Sequence, residues 1–131
     1  MFETTKAFSS FSVDDSKKAK DFYMGILGLD VTESQEMPGL LTLHVGVVSD
    51  ILVYPKSNHT PANFTVLNFP VSDINLAVQQ LKERGVQMEH YNYENFKTDP
   101  DGIFREGGPL IAWFKDPAGN ILSVIEEKST T

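Results

Sequence analysis

Hydrophobic residues change period sharply near the start of the chain. In residues 9–13, Phe11 and Val13 alternate with Ser10 and Ser12, the period of two expected of a strand with one buried face. After Asp14 and Asp15, the apolar residues Ala19, Phe22, Tyr23 and Ile26 fall at i, i+3, i+4 and i+7, one stripe of a helix. An aspartate at the helix start satisfies free N–H groups, and Gly28 follows where a left-handed residue ends helices. The same succession returns later. Phe11-Ser12-Val13-Asp14-Asp15-Ser16-Lys17-Lys18-Ala19 is echoed by Phe69-Pro70-Val71-Ser72-Asp73-Ile74-Asn75-Leu76-Ala77. Ile74, Ala77, Val78 and Leu81 form the second stripe and Gly85 ends it. The chain reads as an internal duplication of a strand–cap–helix–glycine unit.

Short strand-like runs follow each helix. In the first half they are residues 29–32, 40–45 and 51–54; in the second, 86–91, 110–114 and 121–125. Met37-Pro38-Gly39 and Asp116-Pro117-Ala118-Gly119-Asn120 are turns by composition. Each half is therefore βαβββ and the fold class α+β. We expect one domain over residues 1–131, with a first module at about 6–56, a second at about 63–127, and residues 56–63 as linker. The second module carries a polar insertion at 92–108 with scattered aromatics (Tyr93, Phe96, Phe104), which is either a surface loop or a lid over a pocket.

Composition narrows the function. Eleven basic and eighteen acidic residues give a net charge of −7, which disfavours nucleic acid or an anionic membrane as partner. Without cysteine, disulfides, thiolate metal sites and cysteine nucleophiles are excluded. No apolar run approaches the roughly 18 residues that span a bilayer. Residues 1–10 lack a basic region followed by an apolar stretch, so a cytoplasmic location is expected. No serine has a histidine at a convincing partner position for nucleophilic catalysis, and no glycine-rich phosphate loop follows a strand.

The tandem modules, the Asp21-Phe22-Tyr23…Leu27-Gly28-Leu29 helix end and the closing Phe114-Lys115-Asp116-Pro117-Ala118-Gly119-Asn120 together resemble the vicinal oxygen chelate superfamily. That group includes glyoxalase I, bleomycin-resistance proteins, fosfomycin-resistance enzymes and extradiol dioxygenases. The resemblance covers residues 6–126 and implies two modules whose strands curl into a half-open sheet around a central cleft. It also implies a divalent metal held by His or Gln on the first strand and Glu on the last strand of each module. Carried onto this chain, those positions fall on Phe8, Val66 and Ser123, with the fourth near residues 52–54. None offers an imidazole or a carboxylate, the donors such a cation needs. We therefore expect no metal and no cofactor.

Three histidines remain. His44 alternates with apolar residues in a strand and reads as a surface or barrel-face histidine. His59 lies in the linker between Asn58 and Thr60 and is expected in solvent. His90 follows Glu89 near the insertion and reads as structural, although His44 and His90 with Glu89 or Glu36 are an alternative metal set. Strand alternation places Phe8, Ser10, Ser12 and Tyr54 of the first module on the cleft side. Val66, Asn68, Ile121 and Ser123 are their counterparts in the second, with Trp113 or its neighbour Phe114 adding an aromatic wall, while Ser9, Phe11 and Val13 pack under the helices. This makes an apolar and aromatic pocket with a few neutral hydrogen-bonding groups, unless Phe8, Val66 and Ile121 fill it. The expected function is binding of a small organic ligand, aromatic or cationic, by a homodimer of the kind the resemblance implies. The alternatives are a glyoxalase-like lyase or dioxygenase-like enzyme with a non-standard metal site, and a protein-interaction module.

Overall fold

The computed structural model describes residues 1–47 and 49–128. The chain divides into two compact units, Met1–Thr60 and Pro61–Thr131. In the first unit β1 (Ser9–Val13) leads to α1 (Ser16–Lys20), which passes directly into a π-helical turn, Asp21–Ile26. Three strands follow, β2 (Asp30–Glu33), β3 (Leu41–Val45) and β4 (Ser49–Pro55). They form one four-stranded sheet in the order β1-β4-β3-β2, with β1 and β4 parallel and the other pairs antiparallel. The sheet does not close on itself, because β1 and β2 are its two edges.

Local chemistry accounts for the helix ends. The Asp15 carboxylate accepts from the backbone N–H of Lys17 and Lys18, an N-cap, and Gly28 adopts φ +74° past the last turn. The helix nevertheless differs from the regular α-helix expected through the Ala19, Phe22, Tyr23, Ile26 stripe. Leu27 N–H donates to Phe22 O at 3.0 Å, five residues back, so the second half is widened. Ala19, Phe22 and Tyr23 remain buried, and Tyr23 meets Phe22 edge-on at 5.2 Å and Phe11 at 6.1 Å. Val13, Leu41, Leu43, Ile51 and Val53 are buried on the same side of the sheet, so one face of the unit is core.

The second unit repeats this plan with one substitution of parts. Here β5 (Thr65–Val71), α2 (Ile74–Glu83), β9 (Ile111–Lys115) and β10 (Ile121–Glu126) correspond to β1, α1, β3 and β4. The expected strand at 86–91 is not a regular strand: toward β9 it makes a bridge, Met88 to Phe114, and a bond from Glu89 N–H to Trp113 O. The remaining edge pairing with β9 comes from the insertion. Its hairpin of β6 (Asn92–Tyr93) and β7 (Phe96–Lys97) is followed by β8 (Ile103–Phe104), which pairs with Ala112 and Ile111. The order is β5-β10-β9-β8, so the edge is split between Met88 at one end and the insertion at the other. Nothing in hydrophobic alternation distinguishes these two short claimants for one edge. α2 buries Ile74, Val78 and Leu81, is capped by the Asp73 carboxylate on Leu76 N–H, and ends at Gly85 with φ +85°. Together the units give the mixed helix-and-sheet fold expected from the repeat, with two four-stranded sheets that stay open.

Candidate functional site

The face of each sheet opposite its helix carries the residues expected to line the site. In the first unit Ser10 stands beside Leu52, and Ser12 beside Tyr54, across the parallel β1–β4 pair. All four therefore share the face expected to line the site, while Phe11 and Val13 take the helix side. Phe8 lies just before β1 and is 68% exposed. His59 corrects the sequence reading: it is half-buried, and its Nδ1 lies 2.7 Å from Ser12 Oγ. A turn from Lys56 O to His59 N–H brings the linker back over the strand end, a closure that linker composition does not reveal.

Two strands away, His44 occupies the same open face. Its Nδ1 is 2.9 Å from Asp50 Oδ1 and its Nε2 is 3.0 Å from Thr32 Oγ1. The barrel-face reading of His44 places it correctly but misses these partners. They arise because antiparallel register sets Asp50 and Asp30 directly across from His44 and Thr32 diagonally from it.

In the second unit Asn68, Ser123 and Trp113 fall in one row across β5, β10 and β9. Ser123 is fully buried, and its hydroxyl donates to Asn68 Oδ1. It therefore does not present a free hydroxyl at a pocket wall, because a side-chain pair fills the position. Val66 departs from simple alternation. Thr65 opposes Ile121 and Leu67 opposes Leu122, so Val66 is the extra residue of a β-bulge and has no opposite number.

Trp113 is the centre of an aromatic cluster, and the insertion supplies most of it. Tyr91 meets the indole edge-on at 5.6 Å and Phe96 meets it at 5.2 Å, tilted. Phe104 stacks on Phe96 at 4.8 Å, while Tyr93, itself 65% exposed, stacks on Tyr91 at 6.3 Å. The indole N–H donates to Thr65 Oγ1 at 3.1 Å, fixing the ring. Burial, then the nearby Glu89 carboxylate and Tyr93, push the Tyr91 hydroxyl pKa up, so it stays a neutral donor. The sequence signal for this cluster was present as aromatics at 91, 93, 96 and 104, but their common target was not.

The insertion is pinned rather than loose. Asp99 accepts from the N–H groups of Asp101 and Ile103 and from Arg105 Nε at 2.7 Å. Arg105 also donates to Asn75 Oδ1 on α2 at 2.7 Å, and Lys82 pairs with Asp101 at 2.9 Å. A groove of about 520 Å³ lies between α2 and this segment, floored by Val78 and Ile103, on the helix side of the sheet and away from the predicted site. Burial raises the Asp99 carboxyl pKa, but the Arg105 hydrogen bond, the two N–H donors and the Arg105 charge outweigh it and leave it lowered. A depressed folded-state value stabilises above the unfolded carboxylate range, near pH 3.9, and the benefit disappears as pH falls through the folded value. Asp99→Asn should therefore be less stable than the wild type at pH 6. The difference should narrow as pH falls below the ordinary carboxylate range, as read by thermal denaturation across pH; a gap independent of pH would contradict this.

The positions expected to hold a metal in relatives do not fit one here. Phe8 and Val66 have no donor atoms, and the Ser123 hydroxyl is engaged by Asn68. Among the described residues no three of His, Asp or Glu are grouped so as to hold a metal ion. No buried side-chain nitrogen or oxygen among them lacks a hydrogen-bond partner.

A family model described as Glyoxalase/Bleomycin resistance protein/Dioxygenase superfamily matches residues 7–124. The solved structure of a member of that superfamily from Sphaerobacter thermophilus is 24% identical with a TM-score of 0.64, and the match covers 92% of this chain and 97% of the other. An antibiotic binding protein from Streptomyces sp. CB03234 is 22% identical with a TM-score of 0.63, covering 93% of this chain and 96% of the other. A genomically encoded fosfomycin resistance protein from Listeria monocytogenes is 12% identical with a TM-score of 0.67, covering 93% of this chain and 92% of the other. At these identities the likeness establishes a shared fold. No curated protein matches the chain.

Proposed function

Because the chain belongs to the glyoxalase/bleomycin resistance protein/dioxygenase superfamily, we propose that it binds a small organic molecule, aromatic or cationic, without metal chemistry. The observation that carries this reading is the aromatic wall on the open face of the second sheet, where Trp113, Tyr91 and Tyr93 are held in fixed orientations. Aromatic faces attract flat rings by stacking and cations through the ring quadrupole, and rigid rings lose little entropy when they do so. A net charge of −7 favours approach of a cation over an anion. Structures of this fold include an antibiotic binding protein, which supports the same class of ligand. The proposal includes a cytoplasmic homodimer; exposed Phe8 and Phe64, at 68% and 65%, are apolar surface of the kind that subunit contacts cover. No helix among the described residues is long and apolar enough to cross a membrane.

Trp113 is the sole tryptophan and hence the reporter. Titrating chelator-treated protein with a panel of planar aromatic and quaternary ammonium compounds should change its fluorescence saturably. Calorimetry should show about five- to tenfold weaker binding in Trp113→Leu, the loss of a roughly 1–1.4 kcal/mol stacking contact. Binding that requires added metal, or binding unaffected by Trp113→Leu in a folded variant, would overturn the reading.

A further inference from the structure

We propose that Thr32, His44 and Asp50 form an acid–base relay on the open face of the first sheet that makes the Thr32 hydroxyl an acyl acceptor from carboxylic esters. The three residues come from β2, β3 and β4, and antiparallel register converges them. Asp50 Oδ1 is 2.9 Å from His44 Nδ1, and His44 Nε2 is 3.0 Å from Thr32 Oγ1. An ionised carboxylate only accepts hydrogen bonds, so the neutral ring carries its proton on Nδ1. Nε2 then holds the lone pair, and the Thr32 hydroxyl must donate to it. This is the order carboxylate, imidazole, hydroxyl in which a general base activates a nucleophile and a third group orients the base. Such constellations are recognised by geometry and not by position in the chain.

Access is consistent with the role. Thr32 is exposed and the Asp50 side chain is 63% exposed, while His44 is half-covered, so the hydroxyl can meet a substrate and the ring is steadied from both sides. The residues belong to the first unit and share none of the aromatic wall of the second, so the inference stands apart from the ligand-binding proposal. The Ser12–His59 contact on the same face is a separate pair.

In the step, Thr32 Oγ1 bonds to the ester carbonyl carbon as its proton passes to His44 Nε2. The imidazolium so formed is held by Asp50 at Nδ1. Collapse of the tetrahedral adduct breaks the bond to the leaving oxygen, which takes the proton back from Nε2. The products are acyl-Thr32 and an alcohol, with the imidazole neutral again. Water attacking the acyl group by the same proton route releases the acid and regenerates Thr32.

The test uses the full chain and p-nitrophenyl acetate, with peptide mass mapping of the acetylated protein. An initial burst of one equivalent of nitrophenolate per chain, then slower release as the acyl group is hydrolysed, and an acetyl group on Thr32 in protein quenched during the burst are expected. Thr32→Ser should keep the label, Thr32→Val should lose it, and His44→Gln should slow acylation by about 100-fold. Asp50 positions the ring, so Asp50→Asn should keep Thr32 as the site but slow acylation by at least about tenfold, because the ring loses the acceptor that fixes its Nδ1–H tautomer, and Asp50→Glu should recover part of that rate. All variants are checked for native circular dichroism, and Thr32→Ser secures the result if another substitution unfolds the sheet. Acetylation confined to Ser12 or to lysines, or labelling of Thr32 at an unchanged rate in folded His44→Gln, would overturn the proposal.

Discussion

Phe22→Ala is expected to cost about 3–5 kcal/mol, the range for emptying a fully buried phenylalanine site. Phe22 is 6% exposed and packs edge-on against Tyr23, which is itself fully buried. The residue sits in the π-helical turn, where the Leu27 N–H to Phe22 O bond closes over five residues. The wide turn directs both rings to the sheet side, so truncation leaves a cavity that the backbone cannot close without giving up that bond. Met24 is 44% exposed in the same turn, and its replacement by alanine should stay within about 0.5 kcal/mol. Urea titration of the two variants separates burial from helix propensity. A loss below about 1 kcal/mol for Phe22→Ala, or equal losses for both, would show that the turn does not anchor the unit.

Asp116→Ala should be nearly as damaging, at about 3 kcal/mol, although it removes no apolar surface. Asp116 is only 4% exposed, and its carboxylate closes the turn before β10. Oδ1 accepts from the N–H groups of Ala118 and Asn120 at 3.0 and 2.8 Å, and Oδ2 accepts from Asn120 Nδ2 at 2.9 Å. Bonds to a charged acceptor are worth more than neutral ones, and losing it deprives donors that sit in a largely dry turn. Asp116→Asn keeps an oxygen for the two backbone donors and should lose roughly half as much. Equal stability of the alanine variant and the wild type in urea would mean that the backbone turn forms without the side chain.

Asp116 and Asn120 also show how far the sequence carries. The segment 116–120 reads as a turn from composition alone, but why it needs Asp and Asn at its ends is visible only when both side chains are seen folded over it. The candidate site divides similarly. Ser10, Ser12, Tyr54 and Asn68 share the faces alternation gives them, because the pleat has a strict period of two, while the register of Trp113 opposite Ser123 decides between Trp113 and Phe114. Val66 escapes that rule, since a bulge inserts one residue and leaves the partner strand unchanged. His59 escapes it because a linker has no period to read.

What the sequence by itself determined is local in origin. The repeat, the Asp15 and Asp73 caps, the helix stops at Gly28 and Gly85, and the buried stripes follow from interactions spanning a few residues. The family resemblance rests on the same short motifs. The tertiary structure decided what depends on contacts between distant segments. It chose β8 and Met88 as the split edge of the second sheet and folded the aromatics of the insertion against Trp113. It also brought Thr32, His44 and Asp50 within hydrogen-bonding distance across three strands. Edge pairing and cross-strand contacts are settled by register, and register is a property of the assembled sheet rather than of any single strand.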